Sequence, residues 1–224
     1  MDFLRIIRSL EELLYEVMGW LVFYPRTLWR IVARPVSMMR YSDAEQTDAP
    51  DEQYGDTLSP PLFLMLTVLV AHGFELGMGA KLPEARSAIA KLLLNSEQNL
   101  LILRSILFSI FALVAATTLI ARRGLTLDRS TLRAPFFTQC YLTAPFALAI
   151  SAAATLGQMP TSATRLVGTT LAVSGTIWYL WVETGWFRQQ LDVGKGRAFL
   201  IATWSFLKAG VYSVALSTVL LVLK

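Results

Sequence analysis

The rhythm of apolar and polar positions changes twice along this chain. From residue 3 to 24, apolar side chains recur at helical spacing at Phe3, Ile7, Leu10, Leu14, Val17 and Leu21, with Arg5, Ser9, Glu12, Glu16 and Gly19 on another side. This predicts an amphipathic helix too often interrupted by charge to cross a bilayer. Pro25 is expected to close it. The next segment sets Arg26, Arg30 and Arg34 four residues apart around Leu28, Trp29, Ile31 and Val32, which predicts a second helix in the headgroup region with its arginines facing anionic lipid.

From Tyr41 onward the chain turns acidic: Asp43, Glu45, Asp48, Asp51, Glu52 and Asp56 occur without a Lys or Arg among them. This composition reads as a solvated linker. The alternative is an acidic strip that docks on a basic partner or on the arginine helix just before it.

The second change of rhythm comes at Pro60 and Pro61, residues suited to a helix's first turn because the missing amide hydrogens are not needed there. Five apolar stretches follow: residues 61–79, 99–121, 136–157, 163–185 and 198–223. Each is close to the roughly 20 residues that a spanning helix needs. Pro145 is placed to kink the third. Trp178, Tyr179, Trp181 and Trp186 crowd the end of the fourth, as at a boundary between lipid and water. Between the first two spans, residues 81–98 form a charged connection with a short amphipathic helix expected around Ile89 to Leu94. The expected architecture is all-α: interfacial amphipathic helices over 1–40, an acidic linker over 41–58 and a five-span integral membrane bundle over 59–224.

Composition agrees. The chain has 224 residues, is 54% hydrophobic and 16% charged, and has a mean hydropathy of +0.51, more apolar than an average soluble domain. Its net charge of +4 is scattered between apolar runs, so no nucleic-acid surface is expected. Glu11, Glu12 and Glu16 interrupt the N-terminal apolar pattern, and no cleavable leader is expected. With an inside N-terminus, thirteen Lys and Arg fall in inside segments and five in outside ones. This orients the N-terminus to the cytoplasm and the C-terminus outside.

Ionisable side chains within spans are expensive and are therefore the candidate functional residues. They are His72, Glu75, Arg104, Glu183 and Lys208. At about 1.5 Å per residue, Glu75 and Arg104 lie at similar depths from the outer ends of consecutive antiparallel helices, so they can meet as an ion pair. Such a pair either fixes helix register or forms a proton or cation site. His72, one turn before Glu75, gives a His-x-x-Glu spacing found in bundle metal sites, but it is the only histidine and no metal or other cofactor is expected. Lys208 lies near the bilayer middle and needs a partner or water; a polar centre of His72, Lys208 and Gln139 would line a permeation path or tie helices together.

Gly73 with Gly77, Gly168 with Ala172, and the Ser151 to Ala154 run allow close helix contact, within one bundle or between copies. Phosphate loops, Cys-x-x-Cys and paired-histidine zinc motifs are absent. Ser205 and Lys208 are the only candidates for an intramembrane protease pair, and no enzyme is expected.

An inside N-terminal region, an acidic linker, a Ser59-Pro60-Pro61-Leu62-Phe63 entry and five spans ending near the C-terminus resemble the layout of the Yip family and its bacterial relatives, often labelled permeases. The resemblance covers residues 57–224 as topology and carries over no functional residue. For eukaryotic members it implies membrane trafficking through GTPase partners; for bacterial ones, a permease-like role. The expected function is a permease- or channel-like, oligomeric protein of a bacterial inner membrane, moving a small solute or ion along His72, Glu75, Arg104, Gln139, Glu183 and Lys208. The alternative is a non-enzymatic membrane scaffold or regulator that engages lipid or partner proteins through its amphipathic N-terminus.

Overall fold

In the computed structural model, which describes residues 2–49, 52–80 and 96–222, the described residues form seven helices and no strand. They are α1 (Asp2–Ala33), α2 (Pro35–Glu45), α3 (Pro60–Gly77), α4 (Glu97–Arg122), α5 (Arg129–Gly157), α6 (Ser162–Leu191) and α7 (Lys195–Val222). Four helices are long and apolar enough to cross a membrane: α3, α4, α5 and α7. α6, expected as one of five spans, is not among these four despite its 30 residues. The amphipathic helix expected near residues 89–94 lies outside the described residues.

α5 is the central element, with α2, α3, α4 and α6 packed on it, while α7 lies against α4 and α6. Its start is fixed by a capping box: the Asp128 carboxylate accepts from the amides of Ser130 at 2.8 Å and Thr131 at 2.9 Å, and Thr131 Oγ1 accepts from the Asp128 amide at 3.0 Å. At the ends of α3 and α4 the chain turns through Gly79 and Gly124 at positive φ, and the following amides bond back to the carbonyls of Glu75 and Ile120.

Pro25 does not close the first helix. α1 runs through it for 32 residues, about 48 Å, and the break falls instead at Arg34, just before Pro35. The carbonyl that Pro25 leaves unbonded belongs to Leu21. Both residues are exposed, so that carbonyl is not trapped in an apolar core.

The two halves of α1 differ. Residues 7–16 are exposed around the whole helix, including Leu10, Leu14 and Tyr15. Further on, Trp20, Phe23, Tyr24, Leu28 and Ile31 pack into a cluster with Phe63, Ala144 and Tyr141.

The segment expected as a solvated linker is partly built into that same cluster. Tyr54, Thr57 and Leu58 are buried. The Tyr141 hydroxyl, from the middle of α5, donates to the Leu58 carbonyl at 2.6 Å, and the Leu58 amide donates to Thr27 Oγ1 at 3.3 Å. Asp43, Asp48 and Glu52 stay exposed. Paired backbone groups and buried aromatics outweigh the acidic composition here, because the charges can point outward while Tyr54 and Leu58 point in.

The aromatic group near the end of α6 also departs from a boundary belt. Tyr179 and Trp186 are almost fully buried, against Met39, Leu142, Phe146 and Val182, whereas Trp181 is exposed. An alternating environment of this kind is what helical periodicity imposes when only one face meets the bundle.

Candidate functional site

The ionisable side chains expected within spans form three separate groups. In the first, Arg104 on α4 clasps Glu75 on α3: Nη2 donates to Oε1 at 2.9 Å and Nη1 donates to Oε2. His72 Nδ1 lies 3.3 Å from Glu75 Oε2 and 3.3 Å from Arg104 Nη1. Glu75 and His72 are buried. The spacing of three residues on α3 puts His72 and Glu75 on one face, and the antiparallel run of α4 delivers Arg104 to their level. A planar guanidinium matches a carboxylate with two parallel bonds, so the pair is satisfied within the protein. His72 Nε2 is buried and has no hydrogen-bond partner.

The second group lies between α5 and α6. Gln139 Nε2 donates to Glu183 Oε1 at 3.0 Å, and both side chains are 0% exposed. Gln139 Oε1, Glu183 Oε2, the hydroxyls of Thr138 and Thr143 and the Trp186 indole N–H are buried without partners. Among the described residues no cation pairs with Glu183. The residue that reaches it is Gln139, across the interface of the two helices.

The third group is Lys208, whose ammonium donates to Thr118 Oγ1 at 3.2 Å. Thr118 stands 14 residues from Arg104 on the same helix, about 21 Å along its axis. The expected polar centre of His72, Lys208 and Gln139 is therefore not assembled: each belongs to a different group. Lys208 is half-buried and bends toward a threonine that sequence reading did not weigh. Its signal would have been a hydroxyl on a neighbouring apolar helix, which apolar helices carry often.

At the other end of the bundle, the three arginines expected to meet anionic lipid have different surroundings. Arg30 donates to Asp56 Oδ2 at 2.7 Å and its guanidinium lies over the Tyr41 ring, 5.4 Å from the centroid. Arg26 is 3.9 Å from the same carboxylate. The Tyr41 hydroxyl donates to Asp56 Oδ1 at 2.7 Å. Burial pushes the Asp56 carboxyl up, but the Tyr41 hydrogen bond and the two arginines outweigh it and hold the group below the usual carboxylate range. Burial, reinforced by Asp56, raises the Tyr41 phenol, so it remains a neutral donor. Asp56 thus docks on the arginine helix. Arg34 is exposed and has no ion pair among the described residues.

Of the small-residue pairs, Gly168 is the one in close contact. A methyl group at that position would lie 2.8 Å from the Ala153 carbonyl oxygen and 3.2 Å from the Gly157 amide nitrogen, whereas one at Gly73 or Gly77 would meet nothing within 4 Å. Among the described residues, no group of three His, Cys, Asp or Glu side chains converges on a point that could hold a metal ion.

No family model, curated protein or solved structure matches this chain.

Proposed function

We propose that this chain is a five-span membrane protein of non-enzymatic, scaffold or regulatory type, which engages the bilayer surface through the free half of α1. The observation that carries the reading is the contrast along α1. Its second half is built into the bundle, while Ile7, Leu10, Leu13, Leu14, Met18, Leu21 and Val22 form an exposed apolar face beyond it. A broad apolar face opposite Arg8, Glu12 and Glu16 suits a helix lying in the interface plane.

α6 is counted as the fifth crossing because it follows α5 along its length. Gly168 lies against Ala153 and Gly157 near one end, and Glu183 meets Gln139 toward the other. If α5 spans, its antiparallel neighbour spans with it. The surplus of Lys and Arg in the N-terminal segment and in the loops after α4 and α6 supports an inside N-terminus in a bacterial inner membrane. The same five-span layout makes the Yip resemblance the family reading that fits best, with self-association or membership of a membrane complex as its corollary.

The test is a depth measurement on full-length protein in nanodiscs. Single cysteines at Leu14 and at Glu12, on opposite sides of α1, are labelled with a fluorophore and quenched by brominated lipid. Strong quenching at position 14 and weak quenching at position 12 is expected. Equal, weak quenching at both positions overturns the reading.

A permease-like path is the second reading, favoured by the unpartnered atoms around Gln139 and Glu183, which would suit water or a passing solute. Loss of flux in Glu183→Gln with assembly intact would select it; unchanged flux would remove it.

A further inference from the structure

The break between α1 and α2 opens a cavity of about 460 Å³ whose walls include Trp29, Arg30, Arg34, Ser37 and Tyr41. We propose that this cavity binds a phosphate group, in the first place the headgroup of an anionic phospholipid.

Its donors are arranged before any ligand arrives. Arg30 is anchored by Asp56 on one side and stacked over Tyr41 on another, yet a guanidinium has five N–H donors and Asp56 uses only part of them. Arg34, at the break itself, has no carboxylate partner among the described residues. Ser37 adds a hydroxyl. Two guanidiniums and a hydroxyl around one cavity fit the several oxygens of a phosphate better than the two of a carboxylate.

The surroundings favour a lipid as the source. Trp29 on the cavity wall is 73% exposed and Val32, one turn from it, is also exposed, which gives the basic cavity an apolar rim facing the acyl region. Pro35 fixes the break, because the residue before a proline is pushed out of the helical region; Arg34 has φ −140° and ψ 60°. The break beside the cavity is therefore set by the chain path.

This proposal deepens the membrane-surface reading, but it uses residues 29–41, not the free half of α1. The experiment is native mass spectrometry of detergent-solubilised, full-length protein titrated with phosphatidylglycerol, phosphatidylcholine and inorganic phosphate. Phosphatidylglycerol is expected to bind in preference to phosphatidylcholine, and Arg34→Ala, with or without Ser37→Ala, is expected to weaken it about tenfold, the scale of a lost charge-assisted hydrogen bond. Arg34 is exposed, so its removal leaves the fold in place; Arg197→Ala, at an exposed arginine in the first turn of α7, is the matched control and should bind as the unmodified chain does. Inorganic phosphate that binds alone and displaces the lipid upholds the phosphate site and assigns it to a soluble ligand. Equal binding of both lipids, or no effect of the Arg34 and Ser37 substitutions, overturns the proposal. Removing residues 2–18 should leave this binding unchanged even if the membrane role of that arm fails.

Discussion

Arg104 holds Glu75 by both carboxylate oxygens, one bond being 2.9 Å from Nη2 to Oε1, across a pair of helices that otherwise touch sparingly. α3 and α4 both lean on α5, and the clasp joins the C-terminal end of α3 to the N-terminal part of α4.

Breaking this clasp from one side should be worse than removing it. Arg104→Leu leaves the buried Glu75 charge without its main partner, at a cost of about 3 kcal/mol, whereas the double replacement Glu75→Leu with Arg104→Leu should come out near neutral. Thermal unfolding in detergent compares the two. A double variant as unstable as the single one would show that the ion pair itself supplies the stability.

The Asp56 contacts set a dependence on pH. The folded-state pKa of Asp56 is lowered, so its contribution is fully present above the unfolded value of about 4 and is lost as pH falls through the folded value. Because the side chain is about half exposed, the effect is discounted for solvent screening to no more than about 1 kcal/mol. Limited proteolysis of residues 46–56 should be slow and constant from pH 7 to 5 and faster below pH 4. In Asp56→Asn the rate should be higher at neutral pH and flatter in acid.

Gly168 should tolerate no side chain. The two closest atoms to an added methyl are backbone atoms of α5, which cannot swing aside, so Gly168→Ala should cost about 1 to 3 kcal/mol through overpacking. Gly73→Ala, with open space around it, should be neutral or slightly stabilising through helix propensity. Unfolding of the two variants side by side checks the contrast; equal effects would mean that the α5 and α6 contact is not tight.

Lys208 should be dispensable for folding. It makes a single hydrogen bond, to Thr118, and no ion pair among the described residues. Lys208→Met keeps its packing stem and removes a charge that is costly in lipid, so the melting temperature should hold or rise. A fall of more than about 4 °C, the size of a 1 kcal/mol loss in a chain of this length, would reveal a partner beyond Thr118.

The sequence made some of these relationships legible and hid others for physical reasons. Glu75 and Arg104 could be matched because depth along a spanning helix is a one-dimensional coordinate, and two charges at equal depth on adjacent helices have few alternatives. Lys208 could not be matched that way. Its stem reaches over a turn and its partner is an uncharged threonine. Tyr54 and Leu58 were concealed by the acids around them, since composition averages over side chains that face opposite ways. Pro25 was read as a stop because it removes one amide, but a single unbonded carbonyl at an exposed position is a small cost for a helix whose second half is packed on aromatics. Pro35 did stop the helix, and only three-dimensional packing distinguishes the two prolines.

The continuity of α1 through Pro25 has mechanical meaning. A helix that ends at the bundle would leave the distal arm to move by itself, but one rod of about 48 Å behaves as a lever with Trp20 and Tyr24 at its fulcrum. A force on the long arm is carried along the continuous backbone into the packed half, where Arg30 holds Asp56.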